Sequence, residues 1–180
     1  MLGFKSSFSP VYIMDKTVYM FHQTPEELYK KLITYVPIQE GDILLEPFKG
    51  EGGFYNNFPT NTVNEWCELE QGKCYTSYTG KIDWVITNPP FRLDTGNKRV
   101  NSFYYLLNYY LDKADKGICF LANHTCWATL TPKRMAEINS KGFYLHKAVV
   151  CNVKKWSGRY YFLIFLKQQN DNFPFILGSY

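Results

Sequence analysis

Apolar positions along the chain switch between helical and strand spacing, and this switching predicts an α/β fold. Leu28, Leu32, Ile33 and Val36 recur at helical intervals. They follow Thr24-Pro25-Glu26-Glu27, a capping hydroxyl, a first-turn proline and two acids that suit a helix N-terminus. The pattern predicts a helix from about Pro25 to Tyr35. Asp42 to Glu46 carries the buried-strand run Ile-Leu-Leu and stops at Pro47, where the glycine-rich turn Phe48-Lys49-Gly50-Glu51-Gly52-Gly53 follows. Further strands are predicted near Val11 to Met14 and over Trp66 to Leu69, Ile82 to Thr87 and Gly117 to Ala122. Cys74 to Tyr78 reads as a loop or short strand, and Arg92 to Asn97 as a polar loop. Val100, Phe103, Tyr104, Leu107 and Leu111 mark a helix from about Val100 to Ala114. Thr131-Pro132 opens another that runs to about Ser140 and ends at Gly142. Two last strands, Leu145 to Val153 and Tyr160 to Leu166, are close enough to form an antiparallel hairpin. Together these elements predict one Rossmann-like, doubly wound, mostly parallel sheet with a C-terminal antiparallel hairpin.

Composition refines this picture without changing it. The 180 residues fit one domain with its core at about 24–167, and the pattern leaves no space for a separate target-recognition domain. Hydrophobic residues make up 46% and charged residues 20%, which argues for a packed core and against disorder. A formal charge of +4 accommodates a nucleic-acid partner without requiring one. The cysteines, Cys67, Cys74, Cys119, Cys126 and Cys151, include no Cys-x-x-Cys pair, and no signal peptide begins at Met1-Leu2-Gly3-Phe4. They read as reduced thiols of an intracellular protein, with no metal site. No apolar run has the length of a membrane span.

The candidate chemistry sits at the ends of predicted strands, where an open α/β sheet binds its ligand. After the first is Glu46-Pro47-Phe48-Lys49-Gly50-Glu51-Gly52. It lacks the Gly-Lys-Ser/Thr of a phosphate loop, and Glu51 would repel phosphate, so the turn suits an uncharged or cationic ligand. After the next, Glu68 can accept both hydroxyls of a ribose, with Glu65 and Glu70 as nearby competitors and a plain surface acid as the alternative. After the third comes Asn88-Pro89-Pro90-Phe91. Prolines end the strand ladder and fix a rigid turn. That turn offers one carboxamide, a carbonyl and a flat ring, a set that can accept both N–H bonds of a planar amine and stack on it. Asn-Pro is also a common turn signal, so the same residues read equally as a plain turn.

The order and spacing of these features resemble the class I S-adenosylmethionine-dependent amino-methyltransferases, in particular their adenine-N6 DNA and RNA branch. The resemblance runs over Thr24 to Lys167. Glu46-Pro-Phe-Lys-Gly-Glu-Gly-Gly is similar to that family's cofactor loop, with Glu for the usual Asp, and Asn88-Pro89-Pro90-Phe91 matches its catalytic motif. The resemblance implies S-adenosylmethionine as cofactor, held by Thr24, Glu46, Pro47, Phe48, Gly50, Gly52, Glu68 and Tyr75. It assigns catalysis to Asn88, Pro89, Pro90 and Phe91, and base holding to the hairpin residues Trp156 and Tyr160. One departure stands out. Many members carry an acid before an aromatic to bind the cofactor's adenine amine, whereas this chain has Cys74-Tyr75. Arg92, Lys98 and Arg99 after the turn, and Lys155 and Arg159 in the hairpin, are candidates to hold nucleic-acid phosphates.

The expected function is methyl transfer to adenine N6 in nucleic acid, with DNA ahead of RNA and a partner protein as a further source of target recognition. Two alternatives stand beside it. One is methylation of another planar amine, a protein glutamine or an RNA guanine. The other is a binding or scaffold protein that keeps this fold without activity.

Overall fold

A sheet whose strands are apolar on both sides needs cover on both sides, and this one has it. The computed structural model describes residues 24–94, 99–154 and 158–168, with the backbone alone at 94, 99 and 100. In chain order the elements are α1 (Glu26–Ile33), β1 (Ile43–Glu46), β2 (Val63–Trp66), β3 (Ile82–Thr87), β4 (Arg92–Asp94) and β5 (Arg99–Asn101). They continue with α2 (Ser102–Leu111), β6 (Ala114–Asn123), α3 (His124–Trp127), α4 (Pro132–Ser140), β7 (Tyr144–Cys151) and β8 (Tyr160–Leu166). The main sheet has six strands in the order β2-β1-β3-β6-β8-β7. The first four are parallel, and β8 runs antiparallel to both β6 and β7. Side chains alternate between the two layers. Leu45, Val85, Ile118, Phe120, Leu163 and Phe165 face the core under α2 and α4. Leu44, Trp84, Ile86, Leu121, Phe162 and Ile164 face the core with α1 and Phe54.

The predicted architecture holds, and several boundaries move for local reasons. The second strand lies at Val63–Trp66, not Trp66 to Leu69, because Val63 to Trp66 pair in register with Ile43 to Glu46. Residues Leu69–Gln71 instead coil into a 3-10 turn whose N-terminal Glu68 accepts from the Glu70 N–H. The polar loop after Arg92 is in part a ribbon, since β4 pairs antiparallel with β5. Val100 belongs to that ribbon, so α2 starts only at Ser102, behind an Asn101 side chain that accepts from the Phe103 N–H. At α1 the cap position falls to Pro25, no side chain caps the first turn, and Thr24 is buried instead. β6 starts at Ala114, three residues before the apolar run, with Ala114 paired to Ile82. The strand predicted near Val11 to Met14 lies outside the described residues.

Strand order reverses beside β1, with β2 on one side and β3 on the other, and this opens a crevice at the carboxyl ends of the strands. Two buried acids bracket β1. Asp42 precedes it and accepts from the Trp84 indole (2.7 Å), the Gln39 N–H (3.0 Å) and the Lys116 ammonium. Burial opposes its charge, but Lys116, the Gln39 N–H and the indole outweigh that, and its carboxyl is held below the ordinary value. Glu46 ends β1, 2% exposed, and accepts from the Tyr55 N–H at 2.6 Å. Here burial dominates and pushes the carboxyl well above its ordinary value, only partly opposed by the Tyr55 and Phe54 N–H groups.

These two acids should move stability in opposite directions with pH. Asp42, depressed in the fold, stabilises above its unfolded value, and that contribution is lost as pH falls through its folded value. Asp42→Ala strands a buried indole N–H, so urea titration at neutral pH should show a loss of about 1–3 kcal/mol that shrinks in acid. Glu46, raised in the fold, stabilises when protonated, and its contribution is lost as pH rises through its folded value. Glu46→Gln keeps an acceptor for Tyr55 without the titration. Its urea midpoint should therefore gain on wild type between pH 5 and pH 8, and a constant difference would contradict this assignment.

Candidate active site

β3 delivers Thr87, fully buried, to the carboxyl edge, and two prolines then stop the ladder. Asn88 turns out to solvent, Pro89 is buried, and the Phe91 ring is 48% exposed. Among the described residues neither the Asn88 carboxamide nor the Pro89 carbonyl has a hydrogen-bond partner. The next two carbonyls are occupied. Ser102 donates its hydroxyl to the Pro90 carbonyl and its N–H to the Phe91 carbonyl at 3.3 Å. The result is a fixed turn presenting two open acceptors beside an open aromatic face.

The glycine loop lies across the crevice, since β1 neighbours β3 with Leu45 level with Val85. Pro47 is buried and starts the turn, and Lys49 donates its N–H to the Cys67 carbonyl (3.0 Å), tying the loop to the end of β2. Gly50 adopts φ 51°, left-handed backbone that glycine supplies cheaply, and a side chain there would point into open space. Gly52 (φ 89°) is buried against Asn56. Gly53 allows Tyr29 to approach, because a Cβ there would sit 2.2 Å from its ring. Glu46 is no surface group: its carboxylate lies beneath the loop and holds Tyr55 at the loop's far end.

Glu68 is half-buried two residues beyond β2, and its Oε2 accepts from the Gly50 N–H at 2.6 Å. Each carboxylate oxygen has a second lone pair, so room remains for hydroxyl donors. Lys49 turns away from the crevice, its ammonium 4.3 Å from the Trp66 ring centre and 5.1 Å from that of Tyr55. Lys73 meets the same Trp66 ring at 3.9 Å. The loop's own cation therefore serves aromatic packing and not a phosphate cradle. Phe48 and Tyr75 pack at 5.3 Å. Tyr75 is buried, and burial, with the neighbouring Tyr105 hydroxyl, pushes its own hydroxyl up. Cys74 has its sulfur 3.2 Å from the Thr76 hydroxyl.

On the other flank, β6 runs three residues past the level of Thr87, which pairs with Phe120. Asn123 there pairs with Tyr160, and the Arg159 carbonyl accepts from the His124 N–H at 2.9 Å. This brings the exposed Arg159 and half-buried Tyr160 to the same sheet edge as the Asn88 turn, with the Trp127 and Tyr161 rings tilted against each other at 5.2 Å nearby. Arg92 is exposed at the start of β4. Arg99 lies on β5 with only its backbone described, while Lys98, Lys155 and Trp156 lie outside the described residues. Sequence reasoning missed Ser102, although Asn101-Ser102 ahead of Phe103, Leu106 and Leu107 is a helix-start signal.

No protein-family model and no curated protein sequence matches the chain. Solved structures do. A protein assigned as an RNA methyltransferase from Pyrococcus horikoshii superposes with a TM-score of 0.56 at 17% identity, covering 80% of this chain and 84% of that one. Magnesium protoporphyrin IX methyltransferase from Synechocystis, with bound S-adenosylmethionine, gives 0.52 at 10% identity over 78% and 76%. The E. cuniculi Mtq2–Trm112 complex, responsible for methylating the termination factor eRF1, gives 0.51 at 12% identity over 82% and 98%. At these identities the likeness is one of architecture: the chain has the class I methyltransferase fold.

Proposed function

We propose that the chain is an S-adenosylmethionine-dependent methyltransferase that acts on the exocyclic N6 amine of adenine in nucleic acid, with DNA ahead of RNA. The observation that carries the reading is the turn after β3, where the Asn88 carboxamide and Pro89 carbonyl are both unpartnered among the described residues, beside the exposed Phe91 ring. The crevice fits the cofactor by its donor set. Glu68 offers acceptor oxygens for a ribose, Gly50 leaves open space, and the loop cation is turned onto Trp66. Thr24, Pro47, Phe48, Gly52 and Tyr75 complete the candidate contacts, with Glu46 as the support beneath.

The bound cofactor supplies an electrophilic methyl group on a sulfonium. The protein's work is to present the amine to it. An aromatic amine is a weak nucleophile because its lone pair is shared with the ring. Accepting its two N–H bonds at Asn88 Oδ1 and the Pro89 carbonyl favours a pyramidal nitrogen whose lone pair is freed for attack. Positioning and fixed dipoles then supply most of the acceleration. The extra proton leaves after transfer, so no general base need act beforehand. A paired base cannot reach this turn, and the substrate is flipped or single-stranded. Phe91, with Tyr160 and Trp156, supplies stacking surface. Arg92 and Arg159, with Lys98, Arg99 and Lys155, hold phosphates.

A second reading keeps the turn for an amide in a protein, and it rests on the likeness to the complex that methylates eRF1. A partner protein that supplies target recognition is compatible with either. Among the described residues no helix is long and apolar enough to cross a membrane.

Titration calorimetry should detect S-adenosylmethionine binding to the wild-type chain, and tritiated methyl should pass to a DNA pool in preference to RNA or protein. No binding, even with nucleic acid present, would sink the enzyme reading. Asn88→Ala should cut transfer by about a hundredfold or more while leaving cofactor affinity within about threefold. Loss of both together would mean that the turn is only structural.

A further inference from the structure

We propose that Ser102 is a positioning residue for the acceptor turn, fixing which of its carbonyls stays open for the incoming amine. This rests on the reading of Asn88 and Pro89 as the acceptors. Three carbonyls, those of Pro89, Pro90 and Phe91, follow one another past the end of β3. The prolines have no N–H, so two successive positions of the turn offer no backbone donor, and its carbonyls are the groups a neighbouring element can hold. Ser102 does this twice: its hydroxyl takes the Pro90 carbonyl and its N–H takes the Phe91 carbonyl. The Pro89 carbonyl is left over beside Asn88.

Three features make Ser102 suited to this. It is fully buried, so water does not compete for its hydroxyl. It is the first residue of α2, and the usual capping duty of a serine there is already met by Asn101, which accepts from the Phe103 N–H at 3.1 Å. Its hydroxyl is therefore spent on the turn. Its neighbour Phe103 is also fully buried, and its ring lies edge-on to Phe120 at 5.9 Å. Phe120 pairs with Thr87, the residue before Asn88. The start of α2 is thereby keyed to the same level of the sheet that launches the turn. Between the two anchors the described residues form the β4–β5 ribbon, with Arg92 paired to Asn101. Without the hydroxyl, the Pro90 carbonyl becomes a rival acceptor, and the turn loses the bond that sets its tilt.

Steady-state kinetics on Ser102→Ala test this directly. The variant should lose about ten- to a hundredfold in kcat with S-adenosylmethionine affinity and KM for nucleic acid little changed, since misplacement of the acceptors acts on transfer. Ser102→Thr, which keeps the hydroxyl, should recover most of that loss, and Ser102→Cys, a weak donor of similar size, should fall between. Wild-type kcat in Ser102→Ala overturns the proposal, as does a parallel fall in cofactor affinity, which would mark a merely structural role. Should Ser102→Ala not fold, the Ser102→Cys and Ser102→Thr pair carries the same comparison, and equal kcat values in the two would overturn the proposal. A measurement independent of activity separates this from failure of the methyltransferase reading. Limited chymotrypsin digestion, followed by mass spectrometry, should cut after Phe91 faster in Ser102→Ala than in wild type. Equal rates overturn the clamp even if the wild type transfers no methyl to any pool.

Discussion

Two adjacent prolines deprive the turn after β3 of every backbone donor over two residues, and the form of the site follows from that deficit. With no donor at either proline, the turn is held through its carbonyls by a group from another element. Here it comes from α2, whose first residue meets the Pro90 and Phe91 carbonyls. α2 can reach them only because the sheet fixes both partners. β3 pairs with β6, Phe120 of β6 packs against Phe103 of α2, and both aromatic residues are fully buried. The two open acceptors are thus a remainder: the carbonyl and carboxamide that the packing leaves unused.

The glycine loop opposite is governed by a similar economy of charge. Two carboxylates approach it, and each spends an oxygen on a backbone N–H, Glu46 on Tyr55 and Glu68 on Gly50. Glu46 lies deep enough that burial raises its carboxyl, so it acts as a hydrogen-bonding strap more than as a charge. Lys49, the loop's cation, is drawn onto Trp66 and Tyr55. The loop's end of the crevice offers the half-buried Glu68 carboxylate and glycine backbone. Such a lining suits hydroxyl donors and a cationic centre, and it would repel a polyphosphate.

The sheet was legible because its strands are apolar on both faces and bounded by Pro, Gly and Asn, so run length and punctuation agree. The hairpin and the parallel core followed from the same signals. The errors cluster where polar residues sit inside regular structure. Arg92 to Asn97 reads as a polar loop because Arg, Asp and Asn surround a single apolar residue, yet Arg92–Asp94 pairs with Arg99–Asn101 as a ribbon that buries Leu93. Val100 then extended the helical spacing backwards and hid the Asn101-Ser102 start. Asp115 and Lys116 hid the first turn of pairing in β6, since these residues sit at a strand end where polarity costs little. In the site, the glycine loop, Glu68 and the Asn88 turn were legible from spacing along the chain. Ser102 was not, because its role depends on contact across a twelve-residue gap that no local pattern encodes.

On the proposed reading, discrimination among substrates cannot come from the turn, which reads only a flat group with two N–H bonds. It has to come from the rim. Arg92 leaves the turn directly after Phe91, while Arg159 stands on the opposite flank, where its carbonyl is fastened to the first residue of α3. A base swung out of a strand carries a phosphate on each side of it, whereas an amide presented by a protein loop carries none. Two exposed arginines near the edge that carries the aromatic face therefore match a nucleotide better than a peptide. Each guanidinium is mounted differently, one on the ribbon that ends at Ser102 and the other on the hairpin that pairs with β6. A strand bridging the two would press on both supports of the acceptor turn at once, so binding of the carrier and alignment of the amine draw on the same contacts.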